Sequence, residues 1–347
     1  MGAFTGSFAV AGICLPIAAW WGWTNGGSVE AMFSALWLAS VLAIMEISLS
    51  FDNAVVNASV LKTWNPFWQK LFLTVGILVA VFGMRLLFPL VIVSATSDLS
   101  IAQTWHLALD SPNEYSARLT AHHEEISAFG GMFLLLVFLN FVFDEEKDIH
   151  WLHWIESRLA SLGKVNAVAV FVALIVLFLS MSLVEVEKKF DVVIAGLVGV
   201  MVYLGVDVLS SLLESEEKND APVRDMLQKG SIGGFLYLEV LDASFSFDGV
   251  IGAFAITKDI VIIMLGLAIG AMFVRSITVH LVKKGTLDEF VYLEHGAHWA
   301  IGALAAIMFI SLKHDVPEIV TGLIGVALIG LALLSSIKHR RAEAMAA

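Results

Sequence analysis

The amino-acid sequence predicts an all-α polytopic membrane protein with about ten transmembrane helices arranged as a five-plus-five inverted repeat. Three observations carry this prediction. Of 347 residues, 59% are apolar and only 15% charged, against roughly 45–50% and 25% in soluble domains. Apolar runs such as 165–184 and 318–337 reach the ~20 residues that a helix needs to cross a ~30 Å hydrocarbon layer. An acidic motif and a glycine-to-arginine stretch downstream of it occur twice, in the same order.

Ten apolar segments follow one another at roughly 4–22, 30–61, 67–95, 122–143, 165–184, 190–212, 232–256, 259–282, 296–312 and 318–337. No Lys or Arg precedes the first, so it reads as a retained helix rather than a cleaved signal. The loop 96–121 is polar and contains Pro112. Over 144–164, Trp151, Ile155, Leu159 and Leu162 recur at helical spacing opposite Lys147, Asp148, Glu156 and Arg158, the pattern of an amphipathic helix lying at the membrane interface. Residues 214–230 are charged and read as a cytoplasmic linker. The chain thus divides into a first membrane repeat, 1–189, with its interfacial helix, and a second, 190–347, with the linker.

Charge sets the orientation. The side carrying both termini collects thirteen Lys and Arg, among them Lys62, Lys70, Lys147, Arg224, Lys283 and Arg340; the opposite side has five, Arg118, Lys188, Lys189, Lys258 and Lys313. Arg85 and Arg275 stay inside segments. The positive-inside rule then predicts a multi-pass protein of the cell membrane with both termini cytoplasmic and the lipid bilayer as its partner. The net charge of −12 comes from acidic runs between apolar segments, and these read as solvated loops. No basic face exists for nucleic acid. Cys14 stands alone, which excludes an intrachain disulfide and thiolate metal sites. Nothing in the sequence names a protein partner.

The repeat pairs EISLSFD at 46–52 with DASFSFD at 242–248, and GILVAVFGMR ending at Arg85 with GLAIGAMFVR ending at Arg275. The two motif segments lie five spans apart, so the copies enter the membrane in opposite directions, the architecture in which secondary transporters hold substrate at the midplane.

Within these segments fall Glu46, Asp52, Glu239, Asp242 and Asp248. Each ionised carboxylate at the bilayer centre costs at least ~2.5 kcal/mol, so partners are required: protons, Arg85 or Arg275, or a bound cation. Ser48, Ser50, Asn53, Ser244 and Ser246 surround the acids, and oxygen donors without His or Cys suit hard cations such as Mg²⁺, Ca²⁺ or Mn²⁺. On a continuous helix Asp52 and Asp248 turn away from Glu46 and Asp242; unwinding near SFDN and SFDG, eased by Gly249 and Gly252 in the second copy, would bring them to one ion. A competing grouping, His122, His123, Glu124 and Glu125 with Glu294, His295 and His298, lies at helix ends and reads first as interfacial pairing.

The stretches MEISLSFDNAVVNASVL at 45–61, YLEVLDASFSFDGVIGAFAIT at 237–257 and YLEHGAHWAIGALA at 292–305 resemble the TerC family of membrane proteins, and more closely its branch of proteins with a domain of unknown function. The resemblance runs from about 36 to 335 and implies Mn²⁺ efflux or metal and tellurium stress functions. It implies metal-binding positions at Glu46, Asp52 and Asn53 in the first copy and at Glu239, Asp242 and Asp248 in the second. Gly249 departs from the pattern, standing where a serine or asparagine often follows the second aspartate. The expected activity is export of a divalent cation, preferably Mn²⁺, by alternating access, with no prosthetic group and no enzymatic reaction. The alternative is a membrane scaffold or sensor that binds metal without moving it. No nucleotide-binding motif is present, and exchange against protons is the expected driving force.

Overall fold

Hydropathy becomes helix throughout, and the described residues form no strand. The computed structural model describes residues 4–346 apart from 77, 98, 146, 148, 165–166, 214–229, 285–289 and 315; the side chains of Met84, Ala95, Thr96, Lys164, Asp207, 209–213, Phe247, Asp248, Lys284, Glu318, Ile319 and 343–346 also lie outside that description. The linker expected at 214–230 therefore falls almost wholly outside the described residues.

Two long helices, α1 (Thr5–Gly26) and α2 (Val29–Leu49), open the fold as a hairpin. Its turn uses Gly27 at φ 61°, a left-handed conformation that glycine adopts without steric cost, and Ser28, whose hydroxyl accepts the Ala31 N–H at the start of α2. A break at Ser50 separates α2 from α3 (Phe51–Leu61). Pro66 and the Asn65 cap then start α4 (Pro66–Leu71). Two π-helical segments follow, Phe72–Gly76 and Val79–Leu87, before α5 (Phe88–Thr96). Such wide turns are rare and gather at functional sites. The loop expected at 96–121 is instead folded into α6 (Ile101–Asp110), held by a Ser100–Gln103 capping box, and α7 (Pro112–Thr120), which starts on Pro112.

Helix α8 (His123–Val142) is the inner post of the molecule; α11 (Lys189–Leu213) and α14 (Leu293–Ile310) pack along it. Between α8 and α11 lie α9 (His153–Ala160) and α10 (Val168–Ser180), which meet at 107°. The second half continues with α12 (Ile232–Ile256), α13 (Ile260–Lys284) and α15 (Glu318–Ala346). Small residues let backbones close: a Cβ on Gly266 of α13 would sit 2.9 Å from the Ala39 carbonyl oxygen of α2, and one on Gly270 the same distance from that of Ala43. Such contacts replace the hydrophobic driving force that helices lose in lipid.

Eight of the described helical segments are long and apolar enough to cross a membrane. The two expected spans that fall short have separate reasons: α10 is 13 residues long, and α12, though 25 residues long, carries Glu239, Asp242 and Asp248. Large apolar side chains face outward, with Trp37 69%, Phe178 79% and Leu334 64% exposed, the surface expected of a protein embedded in lipid.

The interfacial helix is shorter than expected. Among its described residues only His153–Ala160 is α-helical, followed by a 3₁₀ turn over Ser161–Lys164. Its polarity is also reversed at one position: Glu156, assigned to the solvated face, is fully buried. There it accepts bonds from His295 Nδ1 and Trp299 Nε1 of α14, both at 2.9 Å. The donors supply what solvent would have, so the carboxylate faces inward.

Candidate functional site

The acids of the two repeats meet on one arginine. Glu46, on the last turn of α2, is buried and accepts from Ser50 Oγ at 2.7 Å and from Arg85 Nη2 at 2.5 Å. Arg85 comes from the second π-helical segment and also donates Nη1 to its own Ala80 carbonyl at 2.7 Å. Asp242, the counterpart of Glu46 on α12, places Oδ2 4.0 Å from Arg85 Nη1, and its Oδ1 accepts from Asn53 Nδ2. The Ser50 break puts Asn53 in the first turn of α3, where it reaches across to α12. Two carboxylates thus share one guanidinium, and the trio carries a formal charge of −1 when both are ionised.

Several buried oxygens have no hydrogen-bond partner among the described residues: both of Glu239, Oδ2 of Asp242, Oδ1 of Asn53 and Asn57, and Oγ of Ser246. Four of them belong to residues lining one cavity of about 40 Å³, bounded by Asn57, Gly76, Arg85, Glu239, Asp242 and Arg275, large enough for water or a small ion. Gly76 makes the room, since a Cβ there would collide with Glu239 Oε1. Arg275, the repeat partner of Arg85, borders this cavity but donates Nε to the Leu73 carbonyl at 2.8 Å.

Asp52 lies outside the ion pair. Its Oδ1 accepts the Asn53 N–H at 2.9 Å, and it lines a second cavity with Leu49, His123, Gly249, Ser311 and Thr321. The two cavities share no lining residue: the first reaches Leu73 and, late in α13, Thr278, and the second reaches Ser311, just past the end of α14, and His123 at the start of α8.

The six expected ligands therefore divide. Glu46 and Asp242 join through Arg85, Asn53 donates to Asp242, Glu239 shares a cavity with Asp242, and Asp52 lines the second cavity. The side chain of Asp248 lies outside the described residues. Among the described residues, no three His, Cys, Asp or Glu side chains are placed to hold a metal ion together. The helix break expected at SFDN exists at Ser50, whereas α12 runs unbroken through SFDG. Gly249 serves close packing instead: a Cβ there would stand 3.2 Å from Glu46 Oε2.

The histidine groupings are held by local partners. Lys188 pairs with Glu124 at 3.0 Å and His122 with Glu125 at 3.5 Å. His295 bonds Glu156, and His298 stacks on Phe141 with ring centroids 3.7 Å apart. Asn57 is a site residue the sequence reading omitted. Its spacing of four from Asn53 places both amides on one face of α3, and that signal was available.

The family model described as protein of unknown function (DUF475) matches residues 51–343. No curated protein and no solved structure matches the chain.

Proposed function

Because the chain belongs to the DUF475 family of proteins of unknown function, its activity has to be read from its own residues, and we propose that it exports a divalent cation, preferably Mn²⁺. The carrying observation is the set of buried acceptor oxygens on Asn57, Glu239 and Asp242 that line one cavity without a donor. Leaving such groups unpaired is costly, and an oxygen-rich, thiol-free lining matches a hard cation. The preference for Mn²⁺ comes from the resemblance to the TerC family.

Alternating access of two inverted halves, 1–189 and 190–347, is the proposed mechanism. Its supports are pairwise: α2 packs on α13 as α12 packs on the Val79–Leu87 segment, and the repeat equivalents Glu46 and Asp242 meet at Arg85. Two separate cavities, one lined by Arg85, Glu239 and Asp242 and the other by Asp52, support two chambers for the ion. In this reading Glu46, Asp52, Asp242 and Asp248 bind the ion as the halves rock, and Asn53 and Glu239 assist. Both termini are cytoplasmic, so the cavity with Glu239 is the loading side.

Mn²⁺ uptake into inverted vesicles containing the purified protein tests the proposal. Wild type should carry Mn²⁺. Asp52→Asn, Asp248→Asn and Glu239→Gln should each lose about tenfold or more, the value of one charge-assisted contact. Folded protein that binds Mn²⁺ and carries none under imposed gradients would instead make it a membrane scaffold or sensor.

A further inference from the structure

We propose that Arg85 is a tethered counter-cation: it occupies the carboxylate site when no metal is bound, and the incoming divalent cation must displace it. This inference rests on the cation-binding reading above and concerns what the site does between loadings.

Arg85 touches both halves of the repeat. Its guanidinium is 2.5 Å from Glu46 Oε1 and 4.0 Å from Asp242 Oδ2, with the side chains of Arg85 and Glu46 3% and 1% exposed. A purely structural ion pair would be expected to satisfy its members. Here Asp242 Oδ2 and Arg85 Nε lack hydrogen-bond partners among the described residues, and both Glu239 oxygens stand open in the cavity that Arg85 lines. Those acceptors go unserved although the guanidinium still has an N–H to give, so the two are not placed to satisfy each other, whereas a divalent ion draws several oxygens to itself.

The arginine is also placed to leave. It belongs to the π-helical segment Val79–Leu87, lines the first cavity and already holds Ala80 O on its own segment. Releasing Glu46 and Asp242 leaves that contact in place while the side chain moves within a space it already borders. Metal and guanidinium are then alternative occupants of the same oxygens. Two unpaired carboxylates in the membrane interior never have to stand alone.

Calorimetric Mn²⁺ titration of the full-length protein in detergent decides the matter. Arg85→Ala should bind Mn²⁺ about tenfold or more tighter than wild type, because a competing positive charge is gone. Arg85→Lys, a point charge unable to make both contacts, should fall between them. Guanidinium ion at millimolar concentration should weaken Mn²⁺ binding to Arg85→Ala and leave wild type unchanged, a competition that a structural role would not produce. Equal or weaker binding in folded Arg85→Ala, or indifference to guanidinium, overturns the inference while the cation site stands. If Arg85→Ala does not fold, Arg85→Lys decides alone: tighter than wild type supports the inference, and equal or weaker refutes it. No Mn²⁺ binding by any of the three proteins would remove the cation-binding reading, and this inference with it.

Discussion

At the scale of single residues, the site depends on a few contacts that substitution can address one at a time. Gly76→Ala is expected to push a methyl group onto the Glu239 carboxylate and shrink the cavity. Mn²⁺ binding in detergent should weaken about tenfold, with the thermal midpoint near that of wild type; unchanged binding would remove Glu239 from the site. Glu156 offers a pH test away from the spans. Burial alone would raise its carboxyl, but bonds from His295 and Trp299 outweigh that effect and hold it down at about 2. Because the folded value lies below the ordinary one of 4.5, its stabilisation is complete above that pH and fades as pH falls toward 2. Glu156→Ala should cost about 2–4 kcal/mol at neutral pH by orphaning the buried His295 and part-buried Trp299 donors, and the gap to wild type should narrow in thermal melts below pH 4.5. A gap constant with pH would refute this account. None of these contacts was visible beforehand, because Glu156 and His295 lie 139 residues apart and a carboxylate in an amphipathic pattern reads by default as solvated.

Among the elements, packing of α13 on α2 is open to test by single changes. Gly266→Val or Gly270→Val would drive side-chain atoms against Ala39, Leu42, Ala43 and Glu46, and each should destabilise the protein by about 1–3 kcal/mol. Gly12→Val, where an added Cβ meets nothing within 4 Å, is the control. Equal melting of all three variants would argue against the packing account. Elements were also where sequence reading succeeded and failed most clearly. Apolar runs located the long helices, and the serine-rich motif marked the break at Ser50. The same motif misled in the second copy, because Gly249 and Gly252 were read as hinge residues while Gly249 gives Glu46 room in an unbroken helix. The π-helical turns around Arg85 left no trace, since a uniformly apolar stretch has the same composition whether its hydrogen bonds span four residues or five. The polar run 96–121 hid α6 and α7, although Ser100, Gln103 and Pro112 are recognisable start signals.

For the whole molecule, the lysine and arginine asymmetry makes a topological prediction. In a Cys14→Ser background, single cysteines replacing Lys313 and Arg340 should be labelled from opposite faces of sealed vesicles, Arg340→Cys from the cytoplasmic side. Labelling of both from one face would refute the proposed orientation. That five acids and two arginines fall in apolar segments is legible in the sequence. The wiring of the site is not, because which acid meets which arginine depends on packing between helices. That wiring also has an electrical meaning. Counting Glu46, Asp242 and Arg85 alone, with both acids ionised, the empty centre carries −1 and the Mn²⁺-loaded centre +1. Carrying two charges outward against a negative-inside membrane potential costs about 4.6 kcal/mol per 100 mV, and for these three groups that work is divided evenly between the outward and return strokes. Without the guanidinium the loaded centre would be neutral and the empty one −2, so the voltage would weigh entirely on the return.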